Sequence, residues 1–303
     1  PRAAVTVVTG TPRRSAAYIR EHLPAGAGVI CFDEYAHLFG GHIVHRLGAA
    51  SDKLAQAQHV FDALRTFDDT DVTAIYAQCP DESGLGLAVS NRLKKAAGFH
   101  TVDAAPLVIG FTGPTGAGKT SALRALERLG GLVLDCDAIY HQLLRTDEAL
   151  RTALTGAFGQ VFAPDGTLDR QKLGTVVFSD PAALETLNRI IYDRLPRELL
   201  RRMDESSAPV VGIDAINLVE SGLCRLCRRT VAVLAPSEQR VRRIMARDGI
   251  PEEYARLRVQ AQKDDEFYRT HCTDTLFNDC ADAAAFEDAA YTALCNILKE
   301  ERA

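Results

Sequence analysis

Gly113-Pro-Thr-Gly-Ala-Gly-Lys-Thr120, standing behind the apolar run Leu107-Val-Ile109, is the stretch whose reading decides how most of the chain folds. The apolar run predicts a strand and the glycine-rich stretch a loop. Residues 121–129, with Leu123, Leu126 and Leu129 on one stripe, predict the helix that follows. Glycines let the backbone close around an anion, and successive N–H groups and the helix N-terminus point at phosphate. Lys119 supplies a cation and Thr120 a hydroxyl for Mg²⁺, so G-x-x-x-x-G-K-T in this context predicts a nucleoside triphosphate site.

Reading on from the loop, residues 132–134 predict a strand that delivers Asp135-Cys-Asp137 at its exit. Ligands bind at the carboxyl ends of strands in open parallel sheets. Phosphoryl transfer needs both a base for the acceptor hydroxyl and a carboxylate near Mg²⁺, and these two residues can supply them. The alternative for Asp137 is a helix N-cap over residues 138–144. Val210-Val-Gly-Ile-Asp214 predicts a second buried strand ending in an acid that sees Mg²⁺ from beside the loop. After a strand at 231–234 come Arg240, Arg242, Arg243 and Arg247 on one helix, then Arg256 and Arg258 on the next. Such density suits a mobile lid whose guanidiniums close on phosphates, against the alternative of a solvated basic face. At the C-terminus, Phe286, Ala290, Leu294 and Ile297 have helical spacing and are expected to cover the sheet.

Upstream, residues 1–103 alternate strands and helices. Strands are predicted at 5–9, 28–32, 43–47 and 72–77, and helices at 13–23, 52–67 and 84–97. The alternation predicts a parallel α/β sheet covered by helices. Residues 100–106, with Thr, Asp, two Ala and Pro, predict a short linker, so domains are expected at 1–103 and 107–303. His37, His42 and His45 lie close together, but no Cys or carboxylate stands at a recognised ligand spacing, which favours solvated or hydrogen-bonded imidazoles. Asp33-Glu34 reads as a solvated strand end.

Composition sets the outer limits. The 303 residues carry a formal charge of −5, split −1 over residues 1–105 and −4 over 106–303, so neither half has the basic footprint of a nucleic-acid binder. No apolar run approaches the ~20 residues needed to span a bilayer, and a cytoplasmic location is the expectation. Eight scattered cysteines suggest reduced thiols. Cys224-x-x-Cys227 could join Cys272 and Cys280 around zinc, but unligated thiols are favoured. The chain opens on Pro1 rather than Met and is read as a portion of something longer.

Two resemblances sharpen these expectations. Gly84-Leu-Gly-Leu-Ala-Val-Ser-Asn-Arg-Leu-Lys-Lys-Ala-Ala97, with Asp52-Lys-Leu-Ala, Phe61-Asp-Ala-Leu-Arg65 and Asp71-Val-Thr-Ala-Ile-Tyr76 before it, resembles the C-terminal accessory domain of the threonylcarbamoyl-AMP synthase family. That implies a regulatory or lid-like module, with a synthase domain upstream of Pro1.

Ile109-Gly-Phe-Thr-Gly through Thr120, Val133-Leu-Asp-Cys-Asp-Ala and His141, Leu168-Asp-Arg, Val177-Phe-Ser-Asp180, Leu187-Asn-Arg-Ile-Ile191, Glu220-Ser-Gly-Leu223, Arg247-Asp-Gly249 and Arg258-Val-Gln-Ala-Gln262 resemble dephospho-CoA kinase in order and content. The implied fold is an α/β P-loop kinase domain with a parallel sheet and a helical lid and substrate region, preceded by a smaller Rossmann-like α/β domain. The implied activity is ATP- and Mg²⁺-dependent phosphorylation of the ribose 3′-hydroxyl of dephospho-CoA.

Carried over by position, Gly113, Gly116, Ala117, Gly118, Lys119, Thr120 and Ser121 would hold ATP. Lys119 would neutralise the moving phosphoryl group, Asp137 would take the hydroxyl proton and Arg247 would come from the lid. Thr120 and Asp135 would face the metal, and Asp137, Asp214, Glu220 and Arg258 the acceptor. The family's His-Pro is Tyr192-Asp193 here, and its Pro-Leu-Leu-Phe-Glu is Ile216-Asn-Leu-Val-Glu220. The Asp274-Thr-Leu-Phe-Asn278 segment is one residue shorter than the family's pattern. These departures leave open another small-molecule P-loop kinase, or a nucleotide-sensing module regulating an upstream synthase.

Overall fold

A computed structural model describes residues 1–177 and 179–301; Phe178 of the Val177-Phe-Ser-Asp180 stretch lies outside the described residues. The chain divides into two compact units, residues 1–106 with 204–209, and residues 107–203 with 210–303.

In the first unit the order is β1 (Ala4–Thr9), α1 (Pro12–His22), β2 (Gly28–Cys31), β3 (Ile43–Arg46), α2 (Lys53–Thr66), β4 (Ala74–Gln78), α3 (Leu85–Ala96) and β5 (Thr101–Asp103). All strand pairs are parallel, in the spatial order β3-β2-β4-β1-β5. Helices cover both faces of this sheet. Val60, Leu64, Val89 and Leu93 close over Ile30, Phe32 and Ile75 on one side, and Ala16 and Ile19 over Val8 and Val29 on the other. Two features differ from the sequence reading. Residues 33–39 form a 3₁₀ turn. Part of the expected linker, Thr101–Asp103, is a strand on the open edge of β1, with Val7 opposite Thr101. An edge strand needs only backbone pairing, so three residues with exposed Thr and Asp carry no apolar alternation to read. His42 and His59 each meet a backbone carbonyl through Nδ1, at 3.0 Å to Ala27 and 3.2 Å to Leu47.

The second unit opens with β6 (Leu107–Thr112), α4 (Lys119–Arg128), β7 (Leu132–Asp135), α5 (Cys136–Thr146), α6 (Glu148–Phe158), α7 (Arg170–Val177) and α8 (Pro181–Glu205). It continues with β8 (Val210–Asp214), β9 (Arg229–Leu234), α9 (Ser237–Asp248), α10 (Glu252–Gln260), α11 (Asp265–His271), β10 (Asp274–Phe277) and α12 (Ala283–Glu300). Its sheet is parallel throughout, ordered β10-β9-β6-β8-β7, which puts β6, the strand leading into the glycine loop, at the centre. Such a strand is covered on both faces and reads as an unbroken apolar run. On one face lie α4 and α12, the latter burying Phe286, Ala290, Leu294 and Ile297 as its spacing predicts. Helices α5, α6 and α8 build the other core through Ile139, Leu143, Leu150, Leu154, Leu195 and Leu199.

Candidate active site

The site begins where β6 stops. Gly113 has φ 138°, and a Cβ there would stand 2.2 Å from the Val233 carbonyl oxygen on β9, so only glycine lets the loop leave the sheet so close to its neighbour. Gly118, with φ 109°, is the residue before α4, and a Cβ on it would lie 2.2 Å from Asn278 Nδ2. Helix α4 then starts at Lys119; its first-turn N–H of Ser121 donates back to Gly118 O at 2.9 Å, while the N–H groups at a helix start otherwise lack intrahelical acceptors.

Loop carbonyls are held from behind. Asn278 Nδ2 donates to Ala117 O at 2.7 Å, and Arg243 Nη1 donates to Gly116 O and Ala117 O, each at 3.2 Å. Arg240, only 4% exposed, donates from Nε to Thr115 O at 3.0 Å. Two of the expected lid arginines are therefore struts of the loop. Guanidiniums in the fixed position of a packed helix satisfy carbonyls that a tight turn leaves unpaired. Their i, i+3 spacing directly after β9 was the available signal, since it puts both on the face opposite exposed Arg242.

The carboxylates arrive through sheet register. Asp135 at the end of β7 stands opposite Asp214 at the end of β8, and Asp214 stands opposite Phe111, two residues before Gly113. Lys119 Nζ forms an ion pair with Asp214 Oδ1. That oxygen is buried and has no hydrogen-bond donor apart from the ammonium. Burial raises the Asp214 carboxyl above its usual range; Lys119 opposes this, and nearby Asp135 and Asp137 add to it. The Cys136 thiol between those two acids is pushed up to about 12, chiefly by burial. Lys119, Asp214, Asp135 and Asp137 thus share one electrostatic neighbourhood.

Within it, the helix cap is Asp135, whose Oδ1 accepts from Ala138 N at 3.0 Å. This corrects the capping alternative given to Asp137, which lies inside the first turn of α5 and is exposed. The helix starts at Cys136, two residues before the 138 read from the sequence, which shifts the cap to the strand's last residue, Asp135.

Other candidates sit further out. Arg247 holds the Asp248 carboxylate at 2.7 and 3.1 Å, and Arg258 reaches the same carboxylate at 2.6 Å. Glu220, exposed in the segment after β8, lies near enough to Tyr192 and Tyr268 to add to the rise that burial causes in both phenols. All eight cysteines are free thiols, and among the described residues no three His, Cys, Asp or Glu side chains are grouped to hold a metal by themselves.

A family model described as Dephospho-CoA kinase matches residues 107–283, more than half of the chain and all of the elements just described up to the start of α12. The chain belongs to the dephospho-CoA kinase family. A relative named dephospho-CoA kinase from Dehalococcoides mccartyi is 34% identical over 185 residues, 60% of this chain and 91% of that protein. Another of that name from Thermus thermophilus is 35% identical, covering 57% and 83%. Among solved structures, TT1252 from Thermus thermophilus is 33% identical with a TM-score of 0.54, over 64% of this chain and 97% of that one. Residues 1–98 match the model for the C-terminal domain of threonylcarbamoyl-AMP synthase.

Two departures from the dephospho-CoA kinase pattern meet in space. Asn217 Nδ2 stands 3.4 Å from the Tyr192 hydroxyl, which ties the segment after β8 to α8. Just before it, Ile216 carries its side chain exposed while its carbonyl accepts from Thr112 Oγ1 at 2.8 Å.

Proposed function

We propose that this chain transfers the γ-phosphoryl group of ATP to the ribose 3′-hydroxyl of dephospho-CoA, giving coenzyme A and ADP. The observation that carries the reading is Lys119, paired to half-buried Asp214 at the mouth of a glycine loop in a chain of this family. Gly113, Gly116, Ala117, Gly118, Lys119, Thr120 and Ser121 would surround the phosphates. When ATP enters, Lys119 is the group that exchanges Asp214 for phosphate oxygens. Asp137, exposed at the first turn of α5, would accept the proton of the attacking hydroxyl. Arg247 and Arg258, now on Asp248, would reach phosphate or acceptor when the lid segment closes.

The donor set fits Mg²⁺. Thr120 Oγ1, Asp135 and Asp214 offer hard oxygens, and with nearby Asp137 three carboxylates against one ammonium leave net negative charge. Mg²⁺ needs one or two carboxylates beside substrate phosphates, so the absence of a three-ligand cluster among the described residues does not count against it. Bound there, it would neutralise charge on the transferring phosphates.

Glu220 and Asp214 would border the acceptor, next to the Tyr192–Asn217 contact. That contact supports one second reading, a different small-molecule alcohol as acceptor. The domains would be 1–103 and 107–303, the first acting as a regulatory module of the kinase or of a synthase domain. No helix among the described residues is long and apolar enough to cross a membrane, and a cytoplasmic site of action is part of the proposal.

The test is direct. With MgATP and dephospho-CoA the full chain should yield ADP and coenzyme A in equal amounts. A folded, ATP-binding sample that leaves dephospho-CoA untouched but phosphorylates another alcohol would replace the acceptor.

A further inference from the structure

Thr115, at the tip of the phosphate loop, has every polar group engaged by two side chains from much later in the sequence. Its N–H donates to Gln262 Oε1 at 3.0 Å, and its hydroxyl oxygen accepts from Gln262 Nε2 at 2.9 Å. Its carbonyl accepts from Arg240 Nε at 3.0 Å, and Arg240 Nη2 donates to the same Gln262 Oε1 at 2.6 Å. The result is a closed ring of four hydrogen bonds. Arg240 is fixed in it by burial in α9, whereas Gln262 is half-buried two residues past the end of α10.

Gln262, just past α10, joins this segment to the loop. The helix begins after the Gly249 turn and packs on α9 through Ala255 and Val259 against Val241 and Ile244, with Arg256 held on Glu238. A primary amide is suited to the task because it carries a donor and an acceptor at the same reach. Leucine or methionine fills a similar volume and offers neither.

We propose that Gln262 is a positioning residue that sets the conformation of the phosphate loop through Thr115, so that the segment carrying α10 and the loop tip move as one unit. While Gln262 is in place the Thr115 N–H is committed to it and the loop is held in one shape. Displacement of α10 releases that N–H and the hydroxyl together, and the loop tip loosens. The inference rests on reading residues 113–120 as the ATP site, but not on the identity of the acceptor.

The experiment measures MgATP affinity of the full chain by calorimetry for wild type, Gln262→Leu, Thr115→Val and the double variant. Loss of the two hydrogen bonds to Thr115, together with the one from Arg240, should weaken binding about tenfold in Gln262→Leu, and loss of the hydroxyl alone roughly threefold in Thr115→Val. Because Gln262 acts through Thr115, the double variant should bind within about twofold of Gln262→Leu, and KM for dephospho-CoA should stay within about twofold of wild type. Gln262→Met, nearly matched in volume, should reproduce the leucine result and guards against a folding defect, which thermal melting reports.

Unchanged ATP affinity in a folded Gln262 variant overturns the proposal. So does an additive double variant, about thirtyfold weaker, since Gln262 would then act elsewhere. Wild type that binds ATP without turning over dephospho-CoA would refute the acceptor assignment and leave this measurement intact.

Discussion

Lys119 offsets the burial that would otherwise disfavour the Asp214 carboxylate. The carboxylate has given up water for burial, and its ionised form depends on the ammonium beside it. Lys119→Ala should therefore weaken ATP binding and lower turnover together, with calorimetry and a coupled ADP assay reading the two losses; an unchanged rate would remove Lys119 from phosphoryl transfer. Asp137 has a different environment, exposed and outside the capping bond that Asp135 makes. Asp137→Asn should keep MgATP affinity and lower kcat by about a hundredfold or more, the scale of a lost general base. Near-normal turnover would move the base to Asp135 or Asp214.

At the scale of elements, the loop and the long helix α8 make separate predictions. Gly118→Ala adds a Cβ 2.2 Å from Asn278 Nδ2 at a residue with φ 109°. The Asn278 bond to Ala117 and the entry to α4 must both shift. ATP affinity should fall about tenfold or more, at a backbone cost on the order of 1–3 kcal/mol. On α8, Glu198 accepts from Arg201 at 2.8 Å and from Arg202 at 2.7 Å, and these guanidiniums, Arg201 foremost, hold its carboxyl down from 4.5 to about 2. A depressed carboxyl stabilises the fold above its unfolded pKa and loses that contribution as pH falls through the folded value. Glu198→Gln should lower stability by about 1 kcal/mol at pH 7. The difference in melting temperature between variant and wild type should shrink as pH drops from 4.5 towards 2, and a constant difference would show that the charge does not matter.

At the scale of the molecule, all the candidate catalytic residues fall in the second unit. A relative of which this chain's kinase region spans 91% stands as a protein by itself. Residues 107–303 expressed alone should accordingly turn over dephospho-CoA with a kcat within a few-fold of the full chain. A large loss in a folded fragment would assign residues 1–103 a part in catalysis.

Much of this architecture was legible in advance. Glycines at fixed offsets, β-branched runs and the stripe of Phe286, Ala290, Leu294 and Ile297 are local signals that depend on backbone sterics and burial alone. The three-residue β5 was hidden because pairing on an open edge asks nothing of its side chains. Arg240 and Arg243 were read as lid groups because charge in a sequence carries no address. Only packing of α9 beside the loop made them carbonyl struts, and only the turn after α10 brought Gln262 to Thr115. By itself the sequence determined the loop at 113–120, the strands that end in Asp135 and Asp214, and the family. Tertiary structure decided which of those acids faces Lys119, which caps a helix, and which arginines support the loop. Apart from the local cap from Asp135 to Ala138, such partnerships join residues more than ninety positions apart and are set by sheet register and helix packing rather than by neighbouring residues in the chain.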